Sequence, residues 1–113
     1  MINAYTFGSI IVDGKKYTSD IIIHPDGSVK DSWWRKEGHR LSLDDIAELV
    51  DSKPEIIIAG TGAYGLMQPE EGLKIRLQKK GIQFESAPSE LAVKRYNDLY
   101  NQKRLGACFH LTC

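Results

Sequence analysis

Ile56-Ile57-Ile58-Ala59-Gly60-Thr61-Gly62-Ala63-Tyr64-Gly65 is the stretch on which the fold turns. Its unbroken apolar, β-branched start is the pattern of a strand covered on both faces, as in a parallel sheet. The run then breaks into glycines. The carboxyl end of the strand should therefore open into a loop whose bare backbone can come close to a ligand or to another segment. Gly60, Gly62 and Gly65 match the dinucleotide spacing G-x-G-x-x-G. Glu85 follows 20 residues beyond Gly65, where a ribose-binding carboxylate would stand. Three features oppose that reading. Pro69 is suited to begin the next helix, which leaves Gly65 outside its first turn. Glu70 and Glu71 would then repel a diphosphate at the helix start. The chain also holds only one such unit. The preferred reading is a strand-to-helix turn with a small-ligand or partner pocket beside it, at the carboxyl end of the strand.

The flanks complete the fold class. Phe7 to Val12 reads as a strand, Asp13-Gly14 as a hairpin turn, and Tyr17 towards His24 as the returning strand. Pro25-Asp26-Gly27 gives a second turn before an extended Val29 to Trp34. Ser42-Leu43-Asp44-Asp45 resembles a capping box ahead of a helix with Leu43, Ile46, Ala47 and Val50 on one side, ending near Ser52. Beyond the glycine loop, a helix from Pro69 to Gly81, a strand at Ile82-Gln83-Phe84, a helix starting over Ser86 to Ser89 and a final strand over Arg104 to Leu111 follow. The expectation is a single α/β domain over residues 1–113. An N-terminal antiparallel β meander packs with a short β-α-β-α-β mixed sheet in three layers.

Bulk composition narrows the function classes. The 113 residues favour one domain, and 42% hydrophobic residues suffice for one core. Fifteen basic residues balance fifteen acidic ones, so the chain lacks the charge footprint of a nucleic-acid binder. No apolar stretch approaches a membrane span, and the first residues do not read as an export signal, which points to the cytoplasm. Lys15-Lys16 and Lys79-Lys80 read as solvated turn and helix-end pairs.

Several other residues invite a chemical reading. Cys108-Phe109-His110-Leu111-Thr112-Cys113 offers C-x-H-x-x-C, but no fourth zinc ligand is evident nearby, so no metal is expected. A Cys108–Cys113 disulfide is allowed if the tail folds back to within ~6–7 Å between Cα atoms. Otherwise Cys108 is buried, His110 is a satisfied side chain and Cys113 is a free thiol. A Cys108–His110 nucleophilic pair lacks a third orienting group. Of Trp33 and Trp34, adjacent on an extended segment, one should pack and the other cover a surface or anchor a partner beside Arg35. Ser89, after Pro88, is suited to cap the third helix. Asn97, inside that helix, is suited to bonding an adjacent loop.

Taken in order, these residues resemble the adipogenesis-associated domain proteins and the related mitochondrial complex I assembly factor, a family with small archaeal and bacterial homologues of unknown function. The likeness runs through Tyr17-x-x-Asp20, His24-Pro25-Asp26-Gly27, Trp34, Leu41-Ser42, Pro54-Glu55-Ile56-Ile57-Ile58 and Gly60-Thr61-Gly62. It continues through Ala92-x-x-x-Tyr96-Asn97-x-Leu99 and the ending Phe109-His110-Leu111-Thr112-Cys113. Ser89 stands where the family tends to have Thr, and Lys103 where a glycine or acidic residue is common. The resemblance implies a compact three-layer α/β domain of no established catalytic set. The expectation is a non-enzymatic binding or assembly-factor-like module, without a cofactor, acting as a monomer or weak homodimer. Its contact residues would be Gly60, Thr61, Gly62, Ala63, Tyr64, Asp20, Trp34 and Asn97. The alternative is a small enzyme or a nucleotide- or metabolite-binding protein using the same loop.

Overall fold

The computed structural model describes residues 1–113. Strands β1 (Ile2–Thr6), β2 (Ser9–Val12) and β3 (Lys15–Tyr17) form an antiparallel meander. Asp13 and Gly14, at φ 47° and 83°, turn β2 into β3, with both central residues in the left-handed region that a tight hairpin needs. Next come β4 (Ile21–Ile23), β5 (Val29–Lys30), β6 (Arg40–Leu41) and a single 3-10 turn, Asp44–Ile46. Helix α1 (Ala47–Asp51), β7 (Ile56–Thr61), β8 (Gln68–Pro69), α2 (Leu73–Lys79), β9 (Gln83–Ala87), α3 (Ser89–Leu99) and β10 (Leu105–His110) complete the chain.

The central sheet has the order β5-β4-β10-β7-β9. β10, β7 and β9 run parallel, and β4 and β5 are antiparallel to their neighbours, so the sheet is mixed. Side-chain alternation then sets the layers. Ile21, Ile23, Ile56, Ile58, Ala107 and Phe109 pack on one face with α3 and the meander residues Ile2, Ile10 and Val12. Ile22, Ile57, Ala59, Phe84 and Cys108 pack on the other with Leu41, Ile46, Leu49, Leu73 and Leu77. Both faces are covered, which is why the β7 sequence is apolar without alternation.

Several expected boundaries differ. Residues 2–6 form a strand of their own ahead of the one read from Phe7, and Gly8 (φ 85°) sits in the turn between them. The expected strand from Tyr17 to His24 splits, because β3 stays in the meander while β4 joins the central sheet. Of the extended segment Val29 to Trp34, only Val29–Lys30 is paired. Pro69 does not begin a helix. Gln68 N–H donates to His39 O (2.9 Å) and Glu70 N–H to Leu41 O (2.8 Å), drawing Gln68–Pro69 into a parallel ladder with β6, and the helix waits for Leu73. Ser42 and Asp45 do form the reciprocal box: Ser42 N–H donates to Asp45 Oδ2 (2.9 Å) and Asp45 N–H to Ser42 Oγ (3.3 Å).

Candidate functional site

β7 and β10 end side by side, with Thr61 opposite His110 in the parallel register. β4 runs antiparallel beside β10 and pairs Ile21 with Phe109, so Asp20 stands next to the end of β10. Open α/β sheets place their ligand sites at such carboxyl ends.

The Asp20 carboxylate collects three donors there. His110 Nδ1 lies 2.8 Å from Oδ2, Arg35 Nη1 donates to Oδ2 at 2.8 Å, and Leu111 N–H donates to Oδ1 at 2.8 Å. Burial works to raise the Asp20 carboxyl, but His110, the Leu111 amide and Arg35 together hold it below the ordinary carboxylate value. An ionised Asp20 fixes the tautomer of His110: Nδ1 carries the hydrogen and donates it to Oδ2. The Arg35 Nη2, 3.1 Å from that same nitrogen, is then a neighbouring donor rather than a bonding partner. It is satisfied by Gly38 O at 2.9 Å, which also accepts from Arg35 Nε at 3.0 Å. The second nitrogen of His110, Nε2, is buried and has no hydrogen-bond partner. The expectation of a fully satisfied histidine is corrected on this point: one edge of the ring is saturated and the other is not. His39, exposed, packs its ring at 5.8 Å and 69° to that of His110.

Arg35 reaches Asp20 because the loop carrying it is tied down. Ser32 adopts φ 52°, a strained conformation for a residue with a side chain, and its N–H donates to Ser19 Oγ at 2.7 Å. Trp33 N–H donates to Asp20 O at 3.0 Å, and its indole Nε1–H to Asp45 O at 2.9 Å. The Arg35 guanidinium lies 4.7 Å from the centre of the Trp33 ring. Trp33 is therefore the packed tryptophan of the pair, while Trp34 is 85% exposed. Ser19, Asp20, Ser32, Trp34, Arg35 and Lys36 line a cleft of about 490 Å3.

The glycine loop stands on the other side of β10 and supports it. Ser89 Oγ donates to His110 O (2.6 Å) and accepts from Gly62 N–H (2.9 Å), so it joins α3, the loop and the end of β10. Ser89 is the first residue of α3 and not its cap, because its hydroxyl serves this bridge. The sequence places a pocket beside Gly60–Gly62, and the structure seats the chain's own Leu111–Cys113 there. Ala63 N–H donates to Thr112 O (2.6 Å) and Leu66 N–H to Cys113 O (3.0 Å). A Cβ on Gly62 would come within 2.5 Å of the Cys113 carbonyl carbon. Gly60 is held equally close, its Cβ position lying 2.5 Å from the Phe109 ring. Thr61 is buried, and Tyr64 projects outward, its ring 6.1 Å from that of Phe7.

Of the sequence-derived contact residues, Asp20 and Trp34 line one cleft, and Gly60–Tyr64 lie across His110 from it. Asn97 is elsewhere: its side chain accepts from Ile2 N–H (2.9 Å) and donates to Ile2 O (2.8 Å), pinning β1 to α3. Arg35 and His110 are the residues that sequence reasoning undervalues. An arginine beside two tryptophans and a histidine in a terminal strand show no periodicity that would pair them across 75 residues. Cys108 and Cys113 are both free, which corrects the disulfide expectation. Cys108 points into the α1–α2 side of the core, and burial pushes its thiol up to about 12, whereas Cys113 follows the tail into the glycine loop. No group of three His, Cys, Asp or Glu side chains is placed to hold a metal ion. No helix is long and apolar enough to cross a membrane.

Solved structures of the same fold cover nearly the whole chain. The protein MT938 is 32% identical with a TM-score of 0.84, over 100% of this chain and 98% of that one. The conserved hypothetical protein PH1505 of Pyrococcus horikoshii is 24% identical with a TM-score of 0.85, over 100% and 99%. XCC1710 of Xanthomonas campestris is 19% identical with a TM-score of 0.82, over 98% and 83%. The last two establish likeness of fold alone. The family model described as protein of unknown function (DUF498/DUF598) matches residues 2–110, and the chain belongs to that family.

Proposed function

We propose that this chain is a non-enzymatic binding module, of the assembly-factor kind suggested by its sequence resemblance, and that it takes a protein partner at the cleft between Asp20 and Trp34. The observation carrying this reading is Trp34, left 85% exposed on the rim of a cleft of about 490 Å3. An exposed indole over a rigid polar floor is the arrangement that protein interfaces use as an anchor. The floor is rigid because Arg35 and Asp20 are fully engaged with each other and with Gly38, His110 and Leu111. Those same three bonds hold the Asp20 carboxylate in one orientation, as a fixed part of the floor. The exposed Tyr64 and Phe7 extend the contact surface beyond the glycine loop, whose buried Gly60, Thr61 and Gly62 support it from behind with Ala63. The module works in the cytoplasm, as a monomer or weak homodimer.

One observation favours a second reading, a small-molecule site at the same end of the sheet: the unpartnered Nε2 of His110. Affinity purification from the native cell with the wild type and Trp34→Ala separates the two. The binding-module reading expects a reproducible protein partner that the variant loses; equal recovery by both proteins, or no partner at all, refutes it. A thermal-shift screen with metabolites addresses the second reading, since a ligand at ~100 times its dissociation constant adds about 2.7 kcal/mol to the native state.

A further inference from the structure

His110 Nε2 is the one buried side-chain nitrogen or oxygen of the chain without a hydrogen-bond partner. The His110 side chain is only 8% exposed, so open solvent does not supply the missing partner. Buried polar atoms are almost always paired, and an orphan among them is costly unless it has a use. The chemistry of this atom is fixed. Nδ1 carries the ring hydrogen and gives it to Asp20 Oδ2 at 2.8 Å, which leaves Nε2 a lone pair and no hydrogen. It can only accept. Alternation along β10 turns His110 to the same face as Cys108, the face covered by Leu41 and Met67. The β6–β8 ladder roofs that end of the sheet and is tied to β7 by Met67 N–H, which donates to Thr61 O at 3.0 Å. One part of the roof is loose. Gln68 N–H holds the backbone of His39, but the exposed His39 ring rests edge-on against His110 at 5.8 Å with no hydrogen bond to hold it. The same residue lines a cavity of about 460 Å3 with Glu37, Arg40, Gln68, Glu70 and Glu71.

We propose that His110 Nε2 is the acceptor of a small-molecule subsite, opened when the His39 ring turns aside, and that its ligand is a small neutral molecule presenting an O–H or N–H donor. This rests on the small-molecule reading of the same end of the sheet and names the chemistry of its ligand. A side-chain rotation suffices for entry, since the backbone bonds of the β6–β8 ladder stay in place. Anions are disfavoured twice. A lone pair faces them at Nε2, and the approach carries more negative than positive charge. Glu70 is engaged by Leu43 N–H and Arg76, whereas Glu37 and Glu71 pair with no cation and Arg40 is the single guanidinium lining the cavity. Nucleotide phosphates fall under the same exclusion. A cationic head is disfavoured for a different reason. Asp20 behind the ring is already matched by Arg35 Nη1 at 2.8 Å, so an ammonium group at Nε2 would give up its water beside a pair whose charges cancel. A hydroxyl, amide or azole N–H gives up less and makes the one bond that Nε2 lacks.

The test titrates the intact protein with benzyl alcohol, benzamide and pyrazole, and with benzoate and benzylammonium as charged counterparts, while following the ring nitrogens of His110 by NMR. The expected result is that at least one neutral compound moves the Nε2 resonance and leaves the Nδ1 resonance in place, while the two charged compounds move neither. His110→Asn keeps an amide N–H for Asp20 but removes the acceptor, and should weaken the neutral compound by about tenfold, the worth of one hydrogen bond. His39→Ala should tighten binding, because no ring has to be displaced first. Should His110→Asn fail to fold, the wild-type Nε2 resonance still decides the question. Binding of a neutral compound with Nε2 unmoved, equal binding by His110→Asn, weaker binding by His39→Ala, or a response to benzoate or benzylammonium each overturns the proposal while leaving a small-molecule site standing. No response to any of the five compounds overturns the proposal and counts against the small-molecule reading as well.

Discussion

Replacing Asp20 by Asn tests the network at the end of β10 most directly. The Arg35 side chain is only 6% exposed, and Asp20 is its one carboxylate partner. Removing one member of a buried ion pair strands the other, at a cost of ~3–5 kcal/mol. A domain of this size has ~5–15 kcal/mol in total, so urea unfolding of Asp20→Asn at pH 7 should show a large fall in midpoint. Arg35→Met should cost less, ~1–3 kcal/mol, because Asp20 keeps its bonds to His110 and the Leu111 amide. The double variant should be more stable than the sum of the singles predicts, since it no longer strands the Arg35 charge. Additivity within ~0.5 kcal/mol, or a cost of Asp20→Asn below ~1 kcal/mol, would refute the idea that the pair acts as a buried unit.

The same carboxylate sets a pH dependence with a definite sign. Its native value lies below the ordinary 3.8, so the unfolded chain takes up the proton first as pH falls. The Asp20 contribution is complete above the unfolded value and disappears as pH drops through the lower native one. The stability gap between wild type and Asp20→Asn should therefore be constant from pH 7 to 5 and close below pH 4. A gap that widens in acid contradicts the assignment.

Three further outcomes follow from other contacts. Gly62→Ala should cost at least ~2 kcal/mol in chemical denaturation, because it combines a left-handed backbone (φ 105°) with a Cβ 2.5 Å from backbone atoms of Cys113; a loss under ~0.5 kcal/mol would mean that the tail does not occupy the loop. Asn97→Ala removes both bonds to Ile2, and should cost ~1–3 kcal/mol and speed amide exchange in β1 ahead of the central sheet. A thiol reagent at pH 8 should label Cys113 alone in the native protein and both cysteines in denaturant, since burial pushes Cys108 up to about 12; two native labels would place Cys108 outside the core.

What the sequence made legible was local. The β-branched run Ile56–Ile58, the Asp13-Gly14 turn and the Ser42/Asp45 box each depend on neighbours a few residues apart, and each took the expected form. Where the outcome depended on distant chain, local rules failed. Pro69 suits a helix start, yet the ladder with Arg40–Leu41 claimed it for a strand. Ser89 suits a cap, yet Gly62 and His110 claimed its hydroxyl. The candidate site shows the same division. Asp20 entered the expected contact set through the family resemblance and Trp34 as one of an adjacent tryptophan pair, whereas Arg35 and His110 acquire meaning only when β4 and β10 become neighbours.

That division changes the role of the glycines. Gly60 and Gly62 approach other atoms as closely as the sequence implied, but the atoms belong to Phe109 and to Cys113 of the same chain. Seating the tail there fixes the backbone of Leu111, whose N–H then meets Asp20, while Ser89 fixes the His110 carbonyl from the opposite side. With its backbone held at both points and its Nδ1 held by Asp20, the His110 ring has one remaining freedom, the buried Nε2 edge beside His39. The glycine loop thus acts on the site from behind, by holding β10 still. It follows that Gly62→Ala should disturb the Asp20–His110 contact although neither residue touches Gly62 through its side chain. The measurable sign is a shift in the His110 ring resonances of the folded fraction, and unchanged resonances would separate the loop from the site.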